Sequence, residues 1–156
     1  LKETAYQPKK TIMFVAWVGG ERWTGLSTKS IMNSQPGFSD MTIEAVIELA
    51  GVGAGSGQAI ALEPGSSYRL VQLFEKAAGR LGVKVTSRGR GPHRDQVIVA
   101  GFGGRSAMSA YVSWDGAFAT AHLASDTPAA IDQDKLRRLG QTTLLALLVM
   151  SRETEY

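Results

Sequence analysis

Eight residues near the start of the chain, Thr11-Ile-Met-Phe-Val-Ala-Trp-Val18, are apolar but for one threonine, and Gly19-Gly20 ends the run abruptly. A stretch this short and this apolar suits a central strand, covered on both faces and paired at both edges. Left uncovered, it would invite strand pairing with another molecule. The run therefore demands a sheet with helical cover, a rearranged sheet that closes over it, or self-association.

The rest of the chain alternates between strand-like and helix-like periods. Glu21 to Gly25 reads as a loop and Leu26 to Asn33 as a short helix stopping before Pro36-Gly37. Met41 to Leu49 reads as a second strand, followed by the loop Gly51-Val-Gly-Ala-Gly-Ser-Gly57 and a strand over Gln58 to Leu62. Ser66 or Ser67 can cap a helix that runs through Leu81, with Leu70, Phe74, Ala77 and Leu81 on one face and Gly82 stopping it. Val83 to Thr86, Gln96 to Ala100 and Ala107 to Trp114 are further strands. The closing helix, roughly Asp132 to Ser151, has Leu136, Leu139, Thr143, Leu144, Leu147 and Leu148 recurring at three- and four-residue spacing, which predicts its buried face. Asp126 or Thr127 can cap its start, Pro128 suits a first turn, and Asp132 and Asp134 lie near the positive end of the dipole. Strands interleaved with helices predict one α/β domain over residues 1–156, with a mixed, mostly parallel sheet flanked by helices. No internal repeat or long linker divides it.

Composition removes several classes of function. The 156 residues are 44% hydrophobic, enough for one core, and the net charge of +3 is too mild to imply nucleic acid or an anionic membrane. Without cysteine there are no disulfides, iron–sulfur clusters or cysteine-based zinc sites. No apolar run is long enough to span a bilayer, there is no signal peptide, and Leu1 in the place of a methionine reads as a cut. The glycine loop 51–57 has Ser56 where a dinucleotide fingerprint needs glycine, and it leads into a strand rather than a helix. It reads as a flexible connection. Gly104-Arg-Ser-Ala-Met108 lacks the second glycine of a nucleophile elbow. Arg88-Gly-Arg-Gly-Pro-His-Arg94 could meet phosphate, but without interleaved aromatics it reads as a solvated loop and leaves nucleic-acid binding an outsider.

The most suggestive chemical feature is Ala121-His-Leu-Ala-Ser-Asp-Thr-Pro128, followed by Ile131-Asp132. His122 is one of only two histidines, and it precedes an acid by four residues beside a firmly anchored helix. Such a place suits a ligand or catalytic group, and equally a polar loop residue.

These segments, taken in order, resemble the zinc-dependent aminopeptidase family with paired zinc ions. Ile12-Met-Phe-Val-Ala-Trp-Val-Gly-Gly-Glu21 is similar to its strand followed by Gly-Glu-Glu. Ala45-Val-Ile-Glu-Leu-Ala-Gly-Val-Gly53 resembles its Ile-Asn-Leu-Asp-x-x-Gly strand, and Arg94-Asp95-Gln96 a Ser-Asp-His element. His122 to Asp132 resembles the family's Tyr-His-Thr-x-x-Asp-Thr-x-x-x-Ile-Asp ending. The likeness runs from about residue 8 to 150. It implies a zinc-aminopeptidase (phosphorylase/hydrolase-like) fold, truncated at the N-terminus, and an extracytoplasmic location.

The same resemblance argues against catalysis. It puts Gly20 at the general-base position, Glu21 and His122 at metal-ligand positions, and Ala50 where an aspartate ligand belongs. The family's His-x-Asp ligand segment and bridging aspartate would fall before Leu1. A catalytic zinc usually needs three protein ligands plus water, and glycine cannot carry a proton. Glu48 shares a strand face with Ala50, but its side chain would start about 6–7 Å away. The expectation is a degenerate aminopeptidase-like domain acting as a scaffold or binding module, with no cofactor of its own. The alternative is part of an active zinc exopeptidase whose other ligands, and some of whose strands, lie in a companion N-terminal segment or domain. Neither reading involves nucleic acid or a membrane-spanning segment.

Overall fold

The computed structural model describes residues 7–16, 40–87, 97–98, 106–119, 121 and 123–152. Five strands and two helices build an α/β fold in the order β1 (Ala45–Leu49), β2 (Ala59–Leu62), α1 (Tyr68–Arg80), β3 (Lys84–Ser87), β4 (Val97–Ile98), β5 (Ser106–Trp114) and α2 (Gln133–Arg152). Short 3-10 turns at Ala117–Ala119 and Pro128–Ala130 lie between β5 and α2. The sheet runs β1-β5-β2-β3, with β4 on the start of β5. Its longer pairings are parallel: β1 with β5 from Ala45↔Met108 to Leu49↔Val112, and β2 with β3 from Ala59↔Lys84 to Leu62↔Ser87. The shorter ones, β2 and β4 against β5, are antiparallel. The mixed, mostly parallel sheet expected from the sequence is thus present.

Strand β5 carries three successive partners along its length besides β1. Beta2 pairs with Val112 to Trp114, and β4 with Ser106 and Ala107. Between them a serine turn extends the ladder. Glu63 N donates to Tyr111 O (2.9 Å) and Ser67 N to Ser109 O (2.7 Å). In return, Tyr111 N donates to Ser66 Oγ (3.1 Å) and Ser109 N to Ser67 Oγ (2.9 Å). Hydroxyls here take the place of strand carbonyls, so the buried amides of β5 stay satisfied where β2 has ended. Ser67 is also the N-cap of α1, yet its side chain makes no capping bond. Its oxygen is engaged by the sheet instead.

Helix α1 buries Leu70, Leu73, Phe74, Ala77 and Ala78, the three- and four-residue stripe expected of it. Leu81, expected on that stripe, is the C-cap residue and is exposed. Gly82 follows at φ +67, a left-handed conformation that suits glycine and ends the helix; Val83 N closes the turn on Ala78 O at 2.9 Å. The two helices pack on each other, and their apolar residues join Ile60, Leu62, Val112 and Trp114 in one core. Full burial of a side chain such as Leu70 or Phe74 contributes about 1.5–3 kcal/mol.

Several expectations need correction. Thr11 to Ala16 forms no strand, and Phe14 is 72% exposed; the last two residues of that run, 17–18, lie outside the described residues. The strand expected over Met41 to Leu49 begins only at Ala45, where pairing to Met108 begins. Of the strand expected over Gln96 to Ala100, only Val97–Ile98 is described. The helix expected over Leu26 to Asn33 lies outside the described residues. The closing helix is where the sequence puts it, but its buried stripe is Leu139, Thr142, Thr143, Ala146, Met150 and Ser151. Leu136 and Leu144 face outward, at 43% and 41% exposed. Thr142 fits the core because its hydroxyl donates back to Arg138 O at 2.9 Å.

Candidate functional site

Because β1 and β5 are parallel, their C-terminal ends share one edge of the sheet, the edge where ligands of open α/β sheets are held. Antiparallel β2 begins there too, with Asp115 N donating to Ala59 O at 2.9 Å. Beyond β1 come Ala50 and the glycine loop; beyond β5 come Asp115 to Ala119. The start of α2 closes the group.

The glycine loop is not the flexible connection expected from its composition. It is wedged between the turn after β5 and the N-terminus of α2. Gly55 has φ +96, and a Cβ there would lie 2.5 Å from Asp115 O and 2.6 Å from Ala117 N, both backbone atoms. A Cβ on Gly53 would sit 2.9 Å from Ile131 Cγ2. Only glycine lets two backbones approach so closely. The loop's carbonyls are tied as well: Asp132 N donates to Gly53 O (2.8 Å), Lys135 Nζ to Gly55 O (2.6 Å) and Trp114 Nε1 to Gly57 O (2.8 Å). The lysine bond is charge-assisted and therefore among the stronger ones.

Asp132, rather than Asp126 or Thr127, caps α2. Its Oδ1 accepts from the backbone N of Asp134 (2.8 Å) and of Lys135 (3.1 Å). Thr127 instead precedes the separate 3-10 turn that Pro128 opens, and makes no side-chain capping bond. Sequence reasoning placed Asp132 near the dipole and missed its capping role and the anchoring role of Lys135. The signal was there in Asp132-Gln-Asp134-Lys135, an acid two and three residues ahead of the amides it caps. One turn further on, Arg137 donates a hydrogen bond to Asp134, and with Arg138 nearby this holds the Asp134 carboxyl below its ordinary range.

The residues expected to carry the chemistry divide sharply. Gly20, Glu21 and His122 lie outside the described residues, as do Arg94-Asp95-Gln96, the basic loop from Arg88 and Gly104-Arg105. The chain on either side of position 122 is described: Ala121 N donates to Phe118 O at 3.4 Å and Asp126 N to Leu123 O at 2.9 Å. Ala50 sits at the end of β1 with its amide donating to Val112 O at 3.0 Å, extending the ladder by one residue. Glu48 precedes it on the same face, paired across the sheet with Tyr111. Among the described residues no three of histidine, cysteine, aspartate and glutamate come together as a metal-binding group. These residues alone do not fit a zinc site, and a methyl group stands where the resemblance calls for a carboxylate. On the same face of β5, Ser113 donates to Glu63 Oε1 at 2.7 Å, so the partly buried Glu63 is held as a structural acceptor.

A family model described as peptidase family M28 matches residues 1–147. The chain belongs to peptidase family M28, as its segment order and α/β architecture lead one to expect. No curated protein and no solved structure is significantly similar to it. No described helix is long and apolar enough to cross a membrane.

Proposed function

We propose that this member of the family is catalytically degenerate and serves as a scaffold or binding module. The reading rests first on Ala50. The end of β1 is firmly held, by the ladder on one side and the wedged glycine loop on the other, so a neighbouring acid cannot slide into its place. Gly20 at the general-base position supports the same reading, because a positioned base contributes on the order of 10²–10⁴-fold to such a reaction. The binding part is supported by apolar side chains around the loop: Phe118, Ile131 and Leu136 are all exposed, and all approach the glycines. Exposed apolar surface beside a site marks a place where a partner or ligand is held.

Calorimetric titration with zinc and an assay for amino-acid release from aminoacyl substrates test this together. The expected result is no stoichiometric submicromolar zinc site and no metal-dependent release, and Gly20→Glu alone does not restore activity, since a base without activated water has little to act on. A submicromolar site lost in both Glu21→Ala and His122→Ala, or metal-dependent release by the unaltered chain, refutes the reading and favours an active zinc exopeptidase.

A further inference from the structure

The first turn of α2 breaks a rule of helix starts. In a capping box, an N-cap residue such as aspartate is matched three residues on by Glu or Gln, whose side chain reaches back to the N-cap amide. Asp132 is the N-cap here, and the third residue after it is Lys135. An ammonium in the first turn also sits at the positive end of the helix dipole, where cations are disfavoured. A local rule broken in this way is compensated by tertiary contacts, and those contacts show what the residue is for.

Both compensations come from the glycine loop. Asp132 N, the amide that a capping box would satisfy within the helix, donates to Gly53 O at 2.8 Å. The Lys135 ammonium donates to Gly55 O at 2.6 Å, while Asp132 Oδ2 is a more distant neighbour at 3.9 Å. The lysine side chain is only 18% exposed, so little water is at hand to replace the carbonyl. On its far side the loop is tied to the end of β5: Gly57 N donates to Asp115 O at 3.0 Å, and Trp114 Nε1 donates to Gly57 O at 2.8 Å.

We infer that the glycine loop and the first turn of α2 form a single latch. The helix start is completed by the loop rather than by its own side chains, the Lys135 ammonium is the bolt, and loop and helix start open and close together. Closed, the latch holds Ile131 and Leu136 beside Gly53 and Phe118 beside Gly51, at the edge of the sheet beyond Ala50. It operates whatever that edge binds.

Residue-resolved hydrogen exchange on the full 156-residue chain tests the latch, with Lys135→Glu as the decisive variant. Glutamate three residues after Asp132 completes a capping box, so the helix start becomes self-sufficient while the loop loses its bolt and meets a carboxylate instead. The amides of residues 134 and 135 should keep or gain protection. The Gly57 amide and the Trp114 indole N–H should exchange faster by on the order of 10-fold or more. Lys135→Arg, which keeps a donor and the charge, should restore most of the loop's protection. In the unaltered chain the Asp132 and Gly57 amides should share one opening constant, larger than that of Ser67 N, which is held to Ser109 O at 2.7 Å. Loop protection that is unchanged in Lys135→Glu overturns the latch. So does a loss of protection at residues 134 and 135 along with the loop, which would make Lys135 an ordinary prop of the helix, and so does unequal opening at Asp132 and Gly57 in the unaltered chain.

Discussion

Replacing glycine by alanine at different places in this fold should change stability in opposite directions, and the glycine loop is where the effect is largest. At Gly55 two costs add. An L-residue at φ +96 is strained by about 1–2 kcal/mol, and the new methyl would lie 2.5 Å from Asp115 O and 2.6 Å from Ala117 N. Neither backbone atom can swing aside as a side chain could, since Gly57 N already holds Asp115 O at 3.0 Å. A further 1–3 kcal/mol, roughly, is the usual cost of forcing extra volume into such a place. Gly55→Ala should therefore destabilise the protein by about 2–5 kcal/mol. Gly140, inside α2, has nothing among the described residues, its own helix backbone aside, within 4 Å of its missing Cβ. There alanine should stabilise by about 0.5–1 kcal/mol through helix propensity alone. Urea unfolding gives both numbers from the shift in midpoint at constant slope. A Gly55→Ala protein within about 0.5 kcal/mol of the parent would show that the loop yields easily and would remove the case for a rigid end to β1.

Leu139→Ala, in the core at 1% exposed, should cost about 2–5 kcal/mol, whereas Leu144→Asp on the outer face of the same helix should change stability by less than about 1 kcal/mol; thermal melts compare them directly. Thr143 Oγ1 is buried with no hydrogen-bond partner among the described residues, so Thr143→Val should stabilise by about 1–3 kcal/mol in urea unfolding, and a loss of stability would point to a partner for the hydroxyl. The Asp134 carboxyl should titrate below the ordinary 3.8 and move back up in Arg137→Ala, followed by carboxyl NMR. Since its folded-state value is depressed, the stabilisation it lends α2 is present above the ordinary carboxylate range and is lost as pH falls through the lowered value.

What the sequence revealed depended on how local each cause was. Helix α1 was legible to within a residue because its apolar stripe and Gly82 sit in a single stretch of chain. The buried face of α2 was misread because leucines occupy more than one side of it, while the side turned inward also carries the smaller Thr142, Thr143 and Ala146. Beta1 starts at Ala45 rather than Met41 because its pairing with β5 begins at Met108, a fact located some sixty residues away. The glycine loop looked flexible because composition reports backbone freedom and not the walls around it. The same limit applies to the site. Ala50 was recognised by its place in a pattern, but the clamp formed by Asp132 and Lys135 depends on two segments about eighty residues apart in the chain.

Strand order also dictates when the sheet can exist. Beta1 and β2 are close in sequence but never touch as strands; β5, the last to be synthesised, lies between them. A chain emerging from the ribosome can form the β2–α1–β3 unit early, since those contacts are local. Beta1 gains its described partner only once residues 106–114 have appeared, and the serine turn that satisfies β5 must already be in place to receive it. Such long-range closure is slow, and the waiting strand is apolar. Until residues 106–114 arrive, β1 waits without its described partner, and an unpaired strand edge raises the risk of aggregation.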